Sequence, residues 1–249
     1  IMNKSKKSPP DIHLVKLGEE NCEDCDGILE CICANLSDEI TTEIKPLSSQ
    51  LGPFLDGDYL VRRGDRFKSY FLVKSGVVRS ETVSYNGRNK VKWFYFPGDL
   101  IGMEAISEGF WPADLIITRT TLLCEISVAD LERAAHTFPE IQSRLFKCFG
   151  QRILNHEHSL ASDYSEASIT RVIEYLLQLY DRLKNTEYVS GPWLQLPMTK
   201  TILASYLGMS AETLSRILAK LEKEELIVNN PQSIKLNDRD KIRRSMESN

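Results

Sequence analysis

The spacing of apolar positions changes twice along the chain, and each change marks a new kind of structure. The first ten residues, "IMNKSKKSPP", are polar and set up no period. In "NLSDEITTEIKPL", Ser37 is placed to N-cap a short helix, with Asp38 and Glu39 in its first turn and Pro46 at its exit. From Leu51 to about Leu131, short β-branched and aromatic runs alternate with the turn signals "LDGDYL", "RRGDR", "KSGVV", "YNGRN" and "FPGDL". Gly64, Gly76, Gly87 and Gly98 follow one another at intervals of 12, 11 and 11 residues. With the Asn-Gly pair at 86–87, this spacing predicts an antiparallel roll or barrel.

From Phe138 the period becomes helical. Phe146, Phe149, Ile153, His156 and Leu160 recur at alternating steps of three and four, which is the a/d seam of a coiled coil. Such a helix can pack on its own roll, and Leu145 and Cys148 lie toward another face suited to that. The seam itself favours a partner helix, so a homodimer is expected. His156 reads as a polar break or register marker within it. The next segment, "SEASITRVIEYLLQLYDRL", predicts an amphipathic helix with Ile169, Val172, Ile173, Leu176, Leu177 and Tyr180 inward. "NTEYVSGPW" reads as a loop. In "MTKTILASYLGMSAETLSRILAKLEKEELI", Thr199 N-caps one short helix that Gly208 ends, and Ser210 N-caps a second that runs to about Glu225. Two short helices around a tight glycine turn form a helix-turn-helix, and "LIVNNPQSIKL" adds two strands as a wing.

The expected architecture is α+β. It comprises an N-terminal arm (1–20), a cysteine loop with an antiparallel β-roll (21–135), a dimerisation helix (136–164) and a winged helix-turn-helix (165–249). The 249 residues suit two modest domains, and 42% apolar with 27% charged residues gives each enough to bury a core. No apolar run reaches membrane-spanning length, and the N-terminal lysines have no apolar segment behind them, so no membrane association is expected and the location expected is cytoplasmic. Net charge is −4 overall, but from Glu166 onward 12 Lys and Arg stand against 11 Asp and Glu. The C-terminal part therefore permits nucleic-acid binding without demanding it.

The second helix of the pair points to double-stranded DNA. Leu214, Ile217, Leu218 and Leu221 are spaced to face the core, which leaves Glu212, Ser215, Arg216 and Ala219 on the opposite face. Arg can bond guanine O6 and N7 together, Glu can accept from cytosine N4, and Ser can touch base or phosphate. An ordinary solvated face on a protein-binding module is the competing reading. No nucleophile–base pair and no glycine-rich phosphate cradle supports an enzyme.

Four of the six cysteines crowd into "NCEDCDGILECIC". Without an oxidising compartment they read as reduced thiols or metal ligands. Cys22, Cys25 and Cys31 are spaced so that one loop can bring three thiolates to one centre; Cys33, Cys124 or Cys148 can supply a fourth. Thiolates select zinc, copper(I) or iron–sulfur clusters, and the absence of a second C-x2-C makes four-cysteine zinc the poorer match.

The order of roll, long helix and winged helix, with "PGDLIG" and "AETLSRILAKLEKEELI", resembles the CRP/FNR family of bacterial transcription regulators. The FNR branch carries C-x2-C-x5-C plus a distant cysteine followed by Glu-Ile. The resemblance thus implies a four-iron, four-sulfur cluster on Cys22, Cys25, Cys31 and Cys124, destroyed by oxygen with weakening of the dimer. It also implies that Glu212, Ser215 and Arg216 read a palindromic site with TTGAT-type halves, since the cAMP-receptor branch has an arginine where Ala211 stands here. A surface turn near Gly87 is implied to touch RNA polymerase. Departures are the extra Cys33, which can compete with Cys31, the carboxylates Asp24, Asp26 and Glu30, and His156 where relatives commonly have an acidic residue. The alternative is a regulator of this type without a cluster, answering to cyclic nucleotide or zinc, or constitutive. Cyclic nucleotide fits less well, because Gly102-Met103-Glu104 is followed by no arginine before Arg119.

Overall fold

The computed structural model describes residues 31–32, 36–84, 87, 89–165 and 168–247, with the side chains of 155–165 and 245–247 excluded. It divides into two compact units. One takes the described residues up to Ser80 together with Tyr95–Gln142; the other takes Glu81–Phe94 and the chain from Ser143 onward.

The first unit begins with helix α1 (Asp38–Ile44), whose N-cap Ser37 accepts from the Ile40 amide and whose Ile40 and Ile44 are buried. In chain order, strands β1 (Ser48–Phe54), β2 (Tyr59–Val61), β3 (Ser69–Val83), β4 (Asn89–Tyr95), β5 (Leu100–Ile101) and β6 (Asp114–Ser127) follow, with Glu81–Val83 of β3 and Asn89–Phe94 of β4 assigned to the second unit. They form a sheet of order β1-β6-β3-β4, with β2 added on β6 and β5 on β3. The predicted turn glycines take the left-handed backbone the turns require: Gly64, Gly76, Gly87 and Gly98 all have φ between 75° and 92°. Gly76 is doubly constrained, because a Cβ there would run into the Thr120 carbonyl and the Thr121 side chain on β6. Thr121 uses that space to accept the Val77 amide through its hydroxyl at 3.1 Å.

Buried and half-buried positions alternate on β6 from Thr121 to Cys124, where it pairs with β1. Leu51 pairs with Leu123, both buried, while the next pair, Gln50 and Cys124, points to the other face and is half-buried. The core is closed by Val77, Val78, Ile101, Leu115 and Ile117. The roll ends earlier than its apolar runs suggested. Ser127 N-caps a helix, α2 (Val128–Thr137), by accepting the Asp130 amide at 3.0 Å. After Phe138, α3 runs from Pro139 to Ser165.

In the second unit, α4 (Ser168–Leu183) buries Val172, Ile173, Leu176, Leu177, Leu179 and Leu183. Tyr180 is only half-buried, and its hydroxyl donates to the Gly191 carbonyl at 2.5 Å. The segment read as a loop contains two short strands, β7 (Val189–Ser190) and β8 (Trp193–Gln195). Helices α5 (Lys200–Tyr206) and α6 (Ala211–Lys223) follow, capped by Thr199 and Ser210 as expected. The wing strands β9 (Ile227–Asn229) and β10 (Ser233–Leu236) complete a sheet of order β7-β8-β10-β9, and α7 (Arg239–Glu247) closes the described chain. Strands of two and three residues carry too little alternation to be seen in sequence; β8 becomes a strand by pairing with β10, and β7 by pairing with β8. At the exit of α6, Glu225 has φ 57°, and the Leu226 amide returns to the Leu221 carbonyl at 3.0 Å. This left-handed stop turns the chain sharply into the wing.

Candidate functional site

Two sets of residues stand out, one in each unit. In the second unit, Leu214, Leu218 and Leu221 are buried along α6, with Ile217 half-buried beside them. Their burial fixes the rotation of the helix, so Glu212, Ser215 and Arg216 are held on its exposed face within two turns of the N-terminus. Ser210 Oγ accepts the Thr213 amide at 3.0 Å and lies 2.9 Å from Thr213 Oγ1. Arg216 Nη2 donates to Thr213 Oγ1 at 3.4 Å, a long bond on an exposed surface that a base edge can readily replace. The helix thus presents acceptor, hydroxyl and guanidinium in a row, the groups with which a helix reads a major groove.

Sequence patterning missed what anchors the wing to this pair of helices. Lys200, on α5, donates to Asn229 Oδ1 and to the Asn230 carbonyl, both at 2.6 Å. The Asn229 amide donates to Glu222 Oε1 on α6 at 2.9 Å. Partial burial holds the Lys200 ammonium below the usual lysine range, and Glu222 works against that shift. A second feature also escaped the sequence reading. Tyr206, at the end of α5, packs edge-on against Phe94, with ring centroids 5.1 Å apart, and lies 5.1 Å from the Tyr175 ring of α4. The Val91 amide donates to Ser205 Oγ at 3.4 Å, so a strand from the roll region belongs to the same compact unit as the helix pair. Long-range packing of this kind leaves no periodic trace.

On α3, Phe146 is 66% and Ile153 57% exposed, while Phe149 is half-buried. Among the described residues, the Phe146 and Ile153 side chains are left largely exposed. The side chains of His156 and Leu160 lie outside the described residues.

In the first unit, Cys31 and Cys124 are both half-buried, and Cys124 stands on β6 directly opposite Gln50 of β1. Cys22, Cys25 and Cys33 lie outside the described residues, as do Asp24, Asp26 and Glu30. Among the described residues, no three side chains of His, Cys, Asp or Glu gather to hold a metal. The donors that are described suit a soft centre. Cys31 and Cys124 belong to one compact unit, and Gln50, across the ladder from Cys124, carries a buried Nε2 that donates to nothing. A sulfur-rich group next to Cys124 would accept such a donor. The roll's other candidate position is already engaged: Glu104 accepts from the Tyr95 hydroxyl at 2.5 Å, and Arg119 is on β6 as expected.

Comparison with known proteins gives two family matches. Residues 52–138 match the cyclic nucleotide-binding domain family, and residues 170–245 match the Crp-like helix-turn-helix domain family. The chain belongs to the CRP/FNR family, on its FNR branch. It is 26% identical over 216 residues to the transcriptional activator protein Anr of Pseudomonas protegens, covering 86% of this chain and 88% of Anr. It is 24% identical over 207 residues to the fumarate and nitrate reduction regulatory protein of Escherichia coli, covering 83% of this chain and 82% of that one. Among solved structures, FixK2 from Bradyrhizobium japonicum superposes with a TM-score of 0.70 at 21% identity, over 79% of this chain and 95% of FixK2. A CooA mutant from Carboxydothermus hydrogenoformans gives 0.68 at 17% identity, over 88% and 95%. The chain is thus a transcription regulator of the CRP/FNR type, built on an α+β fold with a β-roll and a C-terminal helix-turn-helix. Among the described residues, no helix is long and apolar enough to cross a membrane.

Proposed function

We propose that this CRP/FNR regulator senses oxygen through a four-iron, four-sulfur cluster on Cys22, Cys25, Cys31 and Cys124, and as a homodimer binds a palindromic promoter site with TTGAT-type halves. The observation that carries the DNA half of this reading is the exposed row Glu212, Ser215 and Arg216 on a helix whose rotation three buried leucines fix. Arg216 pairs with a guanine, Glu212 with a cytosine amine, and Ser215 with base or phosphate. Phe146, Phe149, Ile153, His156 and Leu160 bring the two copies together, which sets two recognition helices against two half-sites related by a dyad. The turn at Gly87 serves contact with RNA polymerase.

The sensing half is supported by the soft donor set and by the buried Gln50 Nε2 across the ladder from Cys124, which has no hydrogen-bond partner among the described residues. When bound, the cluster supplies an oxygen-reactive redox centre. The cysteines tie the N-terminal loop to β6, and loss of that tie shifts the monomer–dimer equilibrium by the difference in cluster affinity between the two forms. A cytoplasmic location goes with this reading, because the thiolates must stay reduced before they bind metal.

The test is anaerobic reconstitution with iron and sulfide, with the visible spectrum and the iron count read before and after air. About four irons per chain, a broad absorption that bleaches in air, and tighter dimerisation of the loaded form are expected. A colourless protein that still binds its palindrome would leave a DNA-binding regulator with a different signal. Loaded and unloaded forms of equal dimer affinity would remove the switch.

A further inference from the structure

Gln50 and Cys124 are directly opposed in the antiparallel β1–β6 ladder. Opposed residues point to the same face of a sheet, with Cβ atoms about 4.5–5.5 Å apart. A glutamine side chain is long enough to bring its amide alongside the sulfur at that separation.

The orientation of the amide is determined. Lys74, buried on β3, lies with Nζ 3.3 Å from Gln50 Oε1. An ammonium can only donate, so the oxygen of the amide faces Lys74 and the NH2 group faces away from it. That NH2 group is buried and has no acceptor among the described residues. Buried donors without partners are rare in native proteins because desolvation is left uncompensated, and each asks for a missing ligand or water.

We propose that Gln50 is a positioning residue for the sensory centre: once the cluster is bound, its Nε2 donates a hydrogen bond to the ligating Cys124 thiolate or to a cluster sulfide beside it, with Lys74 holding the amide in that orientation. The inference rests on the cluster reading above and adds a residue outside the cysteine set. Donors to sulfur and nearby positive charge both stabilise the more negative, reduced state of a cluster and raise its potential. The same amide is unsatisfied without the cluster and satisfied with it, so it favours the loaded form.

Two substitutions separate this role from simple packing. Gln50→Glu keeps the shape and the acceptor for Lys74 but puts an oxygen where the donor was. Gln50→Met keeps the length and removes both polar atoms. Wild type and both variants are reconstituted anaerobically, and three quantities are read: iron retained under a chelator, midpoint potential by redox titration, and melting temperature of the cluster-free protein. Both variants should lose iron faster and titrate at lower potential; a tenfold change in a one-electron equilibrium corresponds to about 59 mV. The cluster-free Gln50→Glu protein should melt no lower than wild type, since the unpaired donor is gone. Potentials and iron retention equal to wild type in both variants, with wild type fully loaded, would overturn the donor role alone. A wild-type chain that takes up no iron would overturn it together with the cluster reading.

Discussion

Lys200 Nζ donates to Asn229 Oδ1 at 2.6 Å, and this bond fastens the first helix of the DNA-binding motif to the first strand of the wing. The same ammonium also donates to the Asn230 carbonyl. Lys200→Met keeps the aliphatic stem and removes both bonds. Hydrogen bonds to charged groups are worth about 1.5–3 kcal/mol when intact, and less where solvent reaches them. The variant should lose about 1–2 kcal/mol of unfolding free energy in urea titration. An unchanged midpoint would show that the wing is held by Ile227, Ile234 and Leu236 alone.

Arg216→Ala addresses readout. The side chain is exposed and bonded only weakly within the chain, so folding should not change. Affinity for the palindrome should fall by roughly 1–3 kcal/mol per half-site, with preference relaxed at one G·C pair. Binding measured across single-base variants of the site decides the matter: a uniform loss at every sequence would make Arg216 a phosphate contact.

Cys124 and Cys33 make opposite predictions for the fourth thiolate. Cys124→Ser should abolish iron retention after anaerobic reconstitution, while Cys33→Ser should leave about four irons per chain. The reverse result would move the ligand set wholly into the N-terminal loop and leave β6 out of it.

The exposed Phe146 and Ile153 side chains of α3 predict the oligomeric state. Ile153 is 57% exposed, so Ile153→Asp costs the single chain little. Across a homodimer seam it would bury two like charges. Sedimentation of the loaded protein should shift from dimer to monomer, and DNA affinity should fall with it. A dimer that persists would place the interface elsewhere.

Tyr175 gives a pH dependence. Burial pushes its phenol well above the usual tyrosine range; neighbouring Tyr206 adds to that, and Arg182 pulls the other way. The folded state keeps a proton that the unfolded state loses near pH 10, about the ordinary tyrosine value. Stability is therefore intact below that pH and falls as pH rises toward the folded value, by at most about 1.4 kcal/mol per pH unit for one proton. The hydroxyl also has no hydrogen-bond partner. Tyr175→Phe should match or slightly exceed wild-type stability at neutral pH and decline less steeply under alkali. An alkaline slope identical to wild type would assign that limb to other groups.

Local rules settled the parts of the molecule that depend on neighbours in sequence. Ser37, Thr199 and Ser210 cap their helices because a side-chain oxygen can satisfy an amide three residues on, whatever the rest of the chain does. The glycine turns require positive φ, and the period of Leu214, Leu218 and Leu221 assigns Glu212, Ser215 and Arg216 to the outer face. The spacing of the cysteines was legible in the same way. Relationships between distant strands were not. That Gln50 meets Cys124, that Tyr206 meets Phe94 and Tyr175, and that Lys200 reaches the wing all follow from ladder register and side-chain packing. Residues far apart in the chain meet only after loop closure has been offset by burial of a whole core, so no short window of sequence encodes the pairing.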